Sequence, residues 1–218
     1  MTIRFSSHLA TAFCGLLVVA ILGCAEPTDP AALPEVDPEE HPMPQLHQPI
    51  EIRYESADQI FEAMPQAQAA AAIHPVGPGV TEGFAYFEEV EGGLRVVVDV
   101  RGLEPGRRGI HVHEHGSCAP GPDGEPAGAA GGHFAPLGSP HGAPDDPEGQ
   151  RHVGDFGNLE VADDGTARLT FVDEVATLTD QTGIVGRALV IHAEQDDLET
   201  QPTGDAGARV ACGIIEAR

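Results

Sequence analysis

Asn158–Glu174 reads "NLEVADDGTARLTFVDE". Two short runs of alternating and β-branched residues flank Asp164-Gly165, a dipeptide suited to a tight turn between strands. The same texture recurs on both sides. "AAAAI", "GFAYFEEV", "LRVVVDVRGL" and "IHVHEHG" precede it, and "GRALVIHAE" and "RVACGIIEA" follow, with a second turn signal at Gly92-Gly93. Helical periodicity is nearly absent. Many short strands broken by turn residues predict an all-β sandwich or barrel. With 27 Gly and 19 Pro, the 218-residue chain is unsuited to a helical bundle. Aromatics are 5% and Trp is absent, so the core relies on Val, Leu, Ile, Ala and Phe. Two segments do not read as strands. Residues 120–157 and 194–207 are long and rich in Gly and Pro, and loops of that length in a compact domain are usually functional.

Before the strand-rich region lie two segments of different character. Residues 1–23 read as a signal peptide: one Arg and no acid in the first ten residues, then the apolar run "TAFCGLLVVAIL", too short to span a bilayer. The run ends in "ILGC", which resembles a bacterial lipobox and makes Cys24 the lipidation candidate; a plain secretory peptide is the alternative. Residues 24–66 read as an acidic, Pro-rich, disordered tether in which "ADQIFEAM" has the makings of a turn or two of helix. Residues 67–218 form the domain. The expected location is the cell envelope or periplasm, with a lipid anchor to the membrane.

The formal charge is −24, and all 11 basic residues are Arg. No nucleic acid or anionic membrane surface is expected as a partner. Export also bears on the cysteines. With Cys14 in the leader and Cys24 assigned to lipid, Cys118 and Cys212 remain. In an oxidising compartment they most simply pair with each other, with two buried free thiols as the alternative. Closing that loop of 94 positions would contribute roughly 4–5 kcal/mol in the chain-entropy model.

Gly109–Cys118, "GIHVHEHGSC", carries His111, His113 and His115 at alternate positions. On a strand His111 and His113 share a face while Val112 points away. The long loop adds His133, His141, His152 and Asp155, and three imidazoles with one carboxylate make a closed tetrahedral set for zinc. His192, in "LVIHAE", joins His111 and His113 in a nitrogen-rich set that suits copper.

"GIHVHEHGSC", "GGHFAPLGSPHG", "RHVGDFGNL", "GRALVIHAEQDD" and "TGDAGARVACGII" together resemble a copper/zinc superoxide dismutase of the bacterial, exported lipoprotein type, over about residues 69–215. The resemblance implies a Greek-key, immunoglobulin-like β-sandwich or flattened barrel with two long functional loops. It implies one copper per subunit on His111, His113, His133 and His192. One zinc would sit on His133, His141, His152 and Asp155, with His133 bridging the two metals. It further assigns Asp196 as the carboxylate linking His111 to His141, Arg209 as the cation beside the open copper position, and Cys118–Cys212 as the intrasubunit disulfide. The implied reaction is dismutation of superoxide to oxygen and hydrogen peroxide, with copper cycling between two oxidation states, His133 relaying a proton and Arg209 pairing with the anion. A homodimer lies within the family's range, although the sequence holds no decisive interface patch. The rival reading is a non-catalytic copper/zinc carrier or buffer on the same fold; the complete copper set and Arg209 favour the enzyme.

Some features fall outside this pattern. His115 is expected as a strand-end residue near the disulfide rather than a ligand, and His41, His47 and His74 match no family motif. The 194–207 loop resembles the family's electrostatic loop, but it is shortened and contains no Lys. Steering of an anion is therefore expected to be weaker than in Lys-bearing members.

Overall fold

A computed structural model describes residues 53–218. The expected signal peptide, Cys24, His41, His47 and most of the expected tether lie outside the described residues.

A helix α1 (Ala57–Ala63) is followed by nine strands: β1 (Ala69–Pro75), β2 (Glu82–Val90), β3 (Gly93–Arg101), β4 (Gly106–His113), β5 (Asp155–Val161), β6 (Ala167–Asp173), β7 (Ala188–His192), β8 (Arg209–Ile214) and the short β9 (Glu216–Ala217). Neighbouring strands pair antiparallel in the order β5-β4-β7-β8-β1-β2-β3-β6, and β9 adds to β1. The Greek-key crossings are the β3–β4 and β6–β7 connections, which join strands far apart in that order. The sheet curls until its two ends, β5 and β6, face each other in a nearly closed barrel.

Alternation explains the layering. On β4, Ile110 and Val112 enter the interior while His111 and His113 face out beneath the loops. On β3, Val96, Val98 and Val100 point inward, register against Phe171, Leu169 and Ala167 of β6, and join Phe87, Phe156, Leu159, Leu189 and Ile191 in one core. At the β2–β3 hairpin Val90 pairs with Gly93, leaving a two-residue loop. Gly93 has φ +145°, and a Cβ there would lie 2.1 Å from the Asp173 carbonyl oxygen, so only glycine lets the end of β6 approach this closely.

Three expectations need correction. The Asp164-Gly165 turn forms, with Ala162 N–H donating to Thr166 O at 2.9 Å, but the strands it joins do not ladder as a hairpin. β5 pairs with β4 and β6 with β3. Phe156 and Phe171 fill the seam between them edge to face, 5.4 Å apart, and the Leu103 side chain is buried beside the turn while its N–H bonds Gly165 O. The long loop is also shorter than expected, because Asp155, Phe156 and Gly157 belong to β5, where Asp155 is the register partner of His111. Finally, residues 53–66 are not a disordered tether but part of the same compact unit as the barrel. Tyr54, Ile60 and Phe61 are buried with Ala70 of β1 and pack against Phe84 and Tyr86 of β2. The acidic composition hid three apolar side chains at helical and pre-helical positions that match an apolar patch on the outer sheet face.

Candidate metal centre

Two buried clusters of ligand atoms lie side by side on the outer face of β4, β5 and β7. One comprises His111, His113, His133 and His192, the other His133, His141, His152 and Asp155. His133 belongs to both. Strand alternation places His111 and His113; β7 ends on His192, whose position is reset by a register shift between Ile191 and His192. The 114–154 loop is stitched back onto β4, with Phe134 N–H donating to Val112 O and Val112 N–H to Gly154 O, both at 2.9 Å. That stitching lays His133 beside His113.

The hydrogen bonds orient the rings as metal ligands. His113 Nδ1 lies 3.0 Å from Gly131 O and His192 Nδ1 3.1 Å from Gly207 O, so both Nδ1 atoms donate and both Nε2 atoms are bare. These two Nε2 atoms face each other at 3.3 Å. His111 Nε2 bonds Asp196 Oδ2 at 2.7 Å, which leaves Nδ1 bare. His111 Nδ1 and His133 Nε2 are buried without any hydrogen-bond partner. Unpartnered buried nitrogens converging on one point are costly unless a metal occupies it. In the second cluster Asp155 Oδ1 meets the Nδ1 atoms of His133, His141 and His152 at 3.0, 3.0 and 3.1 Å, while Oδ2 accepts from the N–H groups of Gly142 and His152. One carboxylate oxygen crowded by three imidazoles suits a small dication. The residues present therefore fit a nitrogen-rich copper site and a His3Asp zinc site.

Electrostatics separate the two clusters. Burial pushes His133 down to about 4 and His192 to about 3, lowers His111, and sets His113 well below its ordinary value. These rings are neutral at physiological pH, as ligands must be. Burial also opposes charge on His141, but hydrogen bonds to Asp155 and Asp196 outweigh it and raise the ring to about 9. Burial alone would raise Asp155 and Asp196, yet their histidine partners hold both below the usual carboxylate range.

Asp196 lies between the clusters, 2.7 Å from His111 Nε2 and 2.9 Å from His141 Nε2. Two residues missed in the sequence support it, and a third, Arg151, braces the loop that carries His152. Asn158 clamps its backbone, donating from Nδ2 to Asp196 O and accepting the Asp196 N–H. Gly204, at φ +64°, passes so close that a Cβ would lie 1.9 Å from Asp196 Oδ1. Arg151 is buried beside His152, donating to the His152 carbonyl and pairing with Asp173 at 2.7 Å. An Arg in an acidic, Pro-rich loop reads as surface charge, and only the closed seam buries it. Asn158 lay inside a quoted motif without a role, and nothing local marks it.

Arg209 opens β8 and reaches the first cluster. Its Nη1 donates to Ala127 O at 2.6 Å and its Nη2 to Gly131 O at 2.7 Å. The Cys118–Cys212 disulfide, with Cα atoms 5.7 Å apart, ties that same loop to β8. Gly131 O thus orients both Arg209 and His113. A cleft of about 190 Å³ opens here, lined by His113, Glu125, His133, His192, Thr203 and Arg209 among others. His115 lies past the end of β4, exposed and outside both clusters, as expected. His74 is on β1, also outside both.

Comparisons with known proteins agree with this geometry. Residues 81–215 match the family model described as copper/zinc superoxide dismutase (SODC). The chain is similar to the Cu-Zn superoxide dismutase of Deinococcus radiodurans, at 42% identity over 144 residues, covering 64% of this chain and 79% of that protein. It is also similar to the crystal structure of the clock protein EA4, with a TM-score of 0.61 and 35% identity, covering 70% of this chain and 96% of that one.

Proposed function

Because the chain belongs to the copper/zinc superoxide dismutase family and dismutates superoxide with copper and zinc as cofactors, we propose a division of labour among its residues. His111 Nδ1, His113 Nε2, His133 Nε2 and His192 Nε2 would hold copper. His133 Nδ1, His141 Nδ1, His152 Nδ1 and Asp155 Oδ1 would hold zinc. Bound copper supplies the one-electron chemistry that oxidises one superoxide and reduces the next. The observation that carries the assignment is His133, whose Nδ1 faces Asp155 while its buried Nε2 has no partner. A ring so placed can take a proton at Nε2 and return it. Asp196 fixes the tautomers of His111 and His141. Arg209, held by two carbonyls, presents positive charge to a small anion in the cleft.

The test separates the sites. His192→Ala should retain zinc and lose dismutation, whereas His152→Ala should still take up copper and cycle, with lower stability and stronger pH sensitivity. Metal analysis and dismutation rates on purified variants read this out, and loss of both metals in both variants would overturn the division.

The chain is further read as an exported lipoprotein of the cell envelope, anchored through Cys24. The "ILGC" stretch after a short apolar run supports this, as does a disulfide in the folded domain. Cys24→Ser should release the protein from the membrane fraction or stall its processing. Unchanged membrane association with normal maturation would count against the anchor.

A further inference from the structure

We infer that Arg187 is a positioning residue for the copper set: its guanidinium fixes the spacing between His113 and His133 by holding the residue that follows each of them. This rests on the reading of His113 and His133 as copper ligands.

Arg187 belongs to neither ligand cluster and does not line the cleft. It stands just before β7. Its Nε donates to Gly183 O at 2.8 Å and its Nη1 to Glu114 O at 2.6 Å, and its Cζ lies 3.4 Å from the centroid of the Phe134 ring. Glu114 follows His113 in the chain, and Phe134 follows His133. One planar cation therefore touches the neighbours of two ligands, one from β4 and one from the long loop.

Glu114 closes the arrangement from the other side. Its N–H donates to Gly132 O and its Oε2 accepts the Gly132 N–H, both at 3.0 Å, and Gly132 precedes His133. His113 and His133 lie opposite each other between these contacts. Phe134 is 4% exposed, and a cation over a ring shielded from water is held more firmly than one at an open surface. Phe134 also bonds Val112 and Gly154 through its backbone, so the loop stays docked without Arg187. What Arg187 adds is precision: a binding constellation needs its groups placed within about 0.5 Å. A lysine carries the charge as a point and lacks the planar fork that spans a carbonyl and a ring face together.

The experiment uses the copper- and zinc-loaded protein with Arg187→Gln and Arg187→Lys. Arg168→Gln, exposed on β6, makes the same change in net charge elsewhere. In Arg187→Gln the Cu(II) hyperfine splitting and absorption band should shift, and copper affinity against a competing chelator should fall about tenfold or more. Zinc affinity should fall less, because Arg187 touches no neighbour of His141, His152 or Asp155. Arg187→Lys should lie between parent and Arg187→Gln, and it carries the test alone if Arg187→Gln does not fold. Arg168→Gln should alter neither reading. An unchanged Cu(II) spectrum and copper affinity, even with lower melting, would overturn the inference and leave Arg187 as a support of the fold. Equal losses of copper and zinc affinity would overturn it too, since the loop would then have loosened as a whole. If the parent showed no Cu(II) signal with nitrogen ligands, the reading of His113 and His133 as copper ligands would fail instead.

Discussion

Asp196 shows how much of the site depends on one side chain that touches no metal. Its two oxygens orient rings from both clusters, and Asn158 and Gly204 exist in their present places to let it do so. Asp196→Ala would leave the Nε2 atoms of His111 and His141 without acceptors and free both rings to rotate. Loss of such an outer partner typically weakens metal binding about 10- to 100-fold. Competition with a chromophoric chelator should therefore show a weaker zinc site in Asp196→Ala, and unchanged zinc affinity would show that Asp155 orients His141 unaided. The residue identities here were legible early, because His111, His113 and His192 sit on strands and alternation is a local property. Asn158 and Arg151 were not, since they acquire their roles from residues 38 and 22 positions away.

Arg151 belongs equally to the element it fastens. The long loop is closed at its far end by the buried pair of Arg151 with Asp173, side chains 1% and 0% exposed, with further bonds to the carbonyls of Asp146 and His152. Arg151→Ala would deprive the buried Asp173 carboxylate of its cation, leaving the Val175 and Ala176 N–H groups on Oδ1, a change that costs about 3–5 kcal/mol. Melting should fall accordingly, and zinc retention with it, because His152 is the next residue. A variant with unchanged melting would mean that the seam admits water to Asp173. At the other edge of the molecule, α1 covers the outer face of β1 and β2. Ile60 is fully buried, and Arg218 stacks 5.7 Å from Phe61 while its guanidinium bonds Pro65 O. Truncation to residues 67–218 should thus melt lower than truncation to 53–218, because Tyr54, Ile60 and Phe61 are lost and Ala70, Phe84 and Tyr86 become exposed. Equal melting of the two would show that the helix is dispensable for stability.

Across the whole domain, the buried histidines dictate how the metal-free protein responds to acid. His133 and His192 titrate at about 4 and about 3 when folded, against 6.5 when free, and His111 and His113 are lowered too. Between the folded and free values the unfolded chain binds more protons, so stability falls as pH drops below about 6.5. Asp155 and Asp196, depressed by their histidines, contribute stability that is present above about 3.8 and lost as pH falls through their folded values. His141 has the opposite sign. Raised to about 9, it stabilises fully below 6.5, and that contribution fades as pH rises through 9. Thermal melts of chelator-stripped protein should peak near neutrality and fall more steeply on the acid side, where several groups act together. A melting temperature that climbs from pH 7 to pH 5 would contradict this balance.

Period-two alternation and turn dipeptides are written into neighbouring residues, and so the strands were readable from the chain, while the pairing of Cys118 with Cys212 followed from the count of domain cysteines and the family resemblance. Folding alone settled which edges meet. "NLEVADDGTARLTFVDE" looks locally like a hairpin, yet Phe156 and Phe171 wedge its arms apart and each arm pairs elsewhere, making the seam of the barrel. The acidic segment before the domain looks like tether until Tyr54, Ile60 and Phe61 find an apolar patch on β1 and β2. In each case the deciding energy comes from contacts between residues distant in sequence, where burial and Coulomb terms depend on three-dimensional separation and leave no local pattern to read.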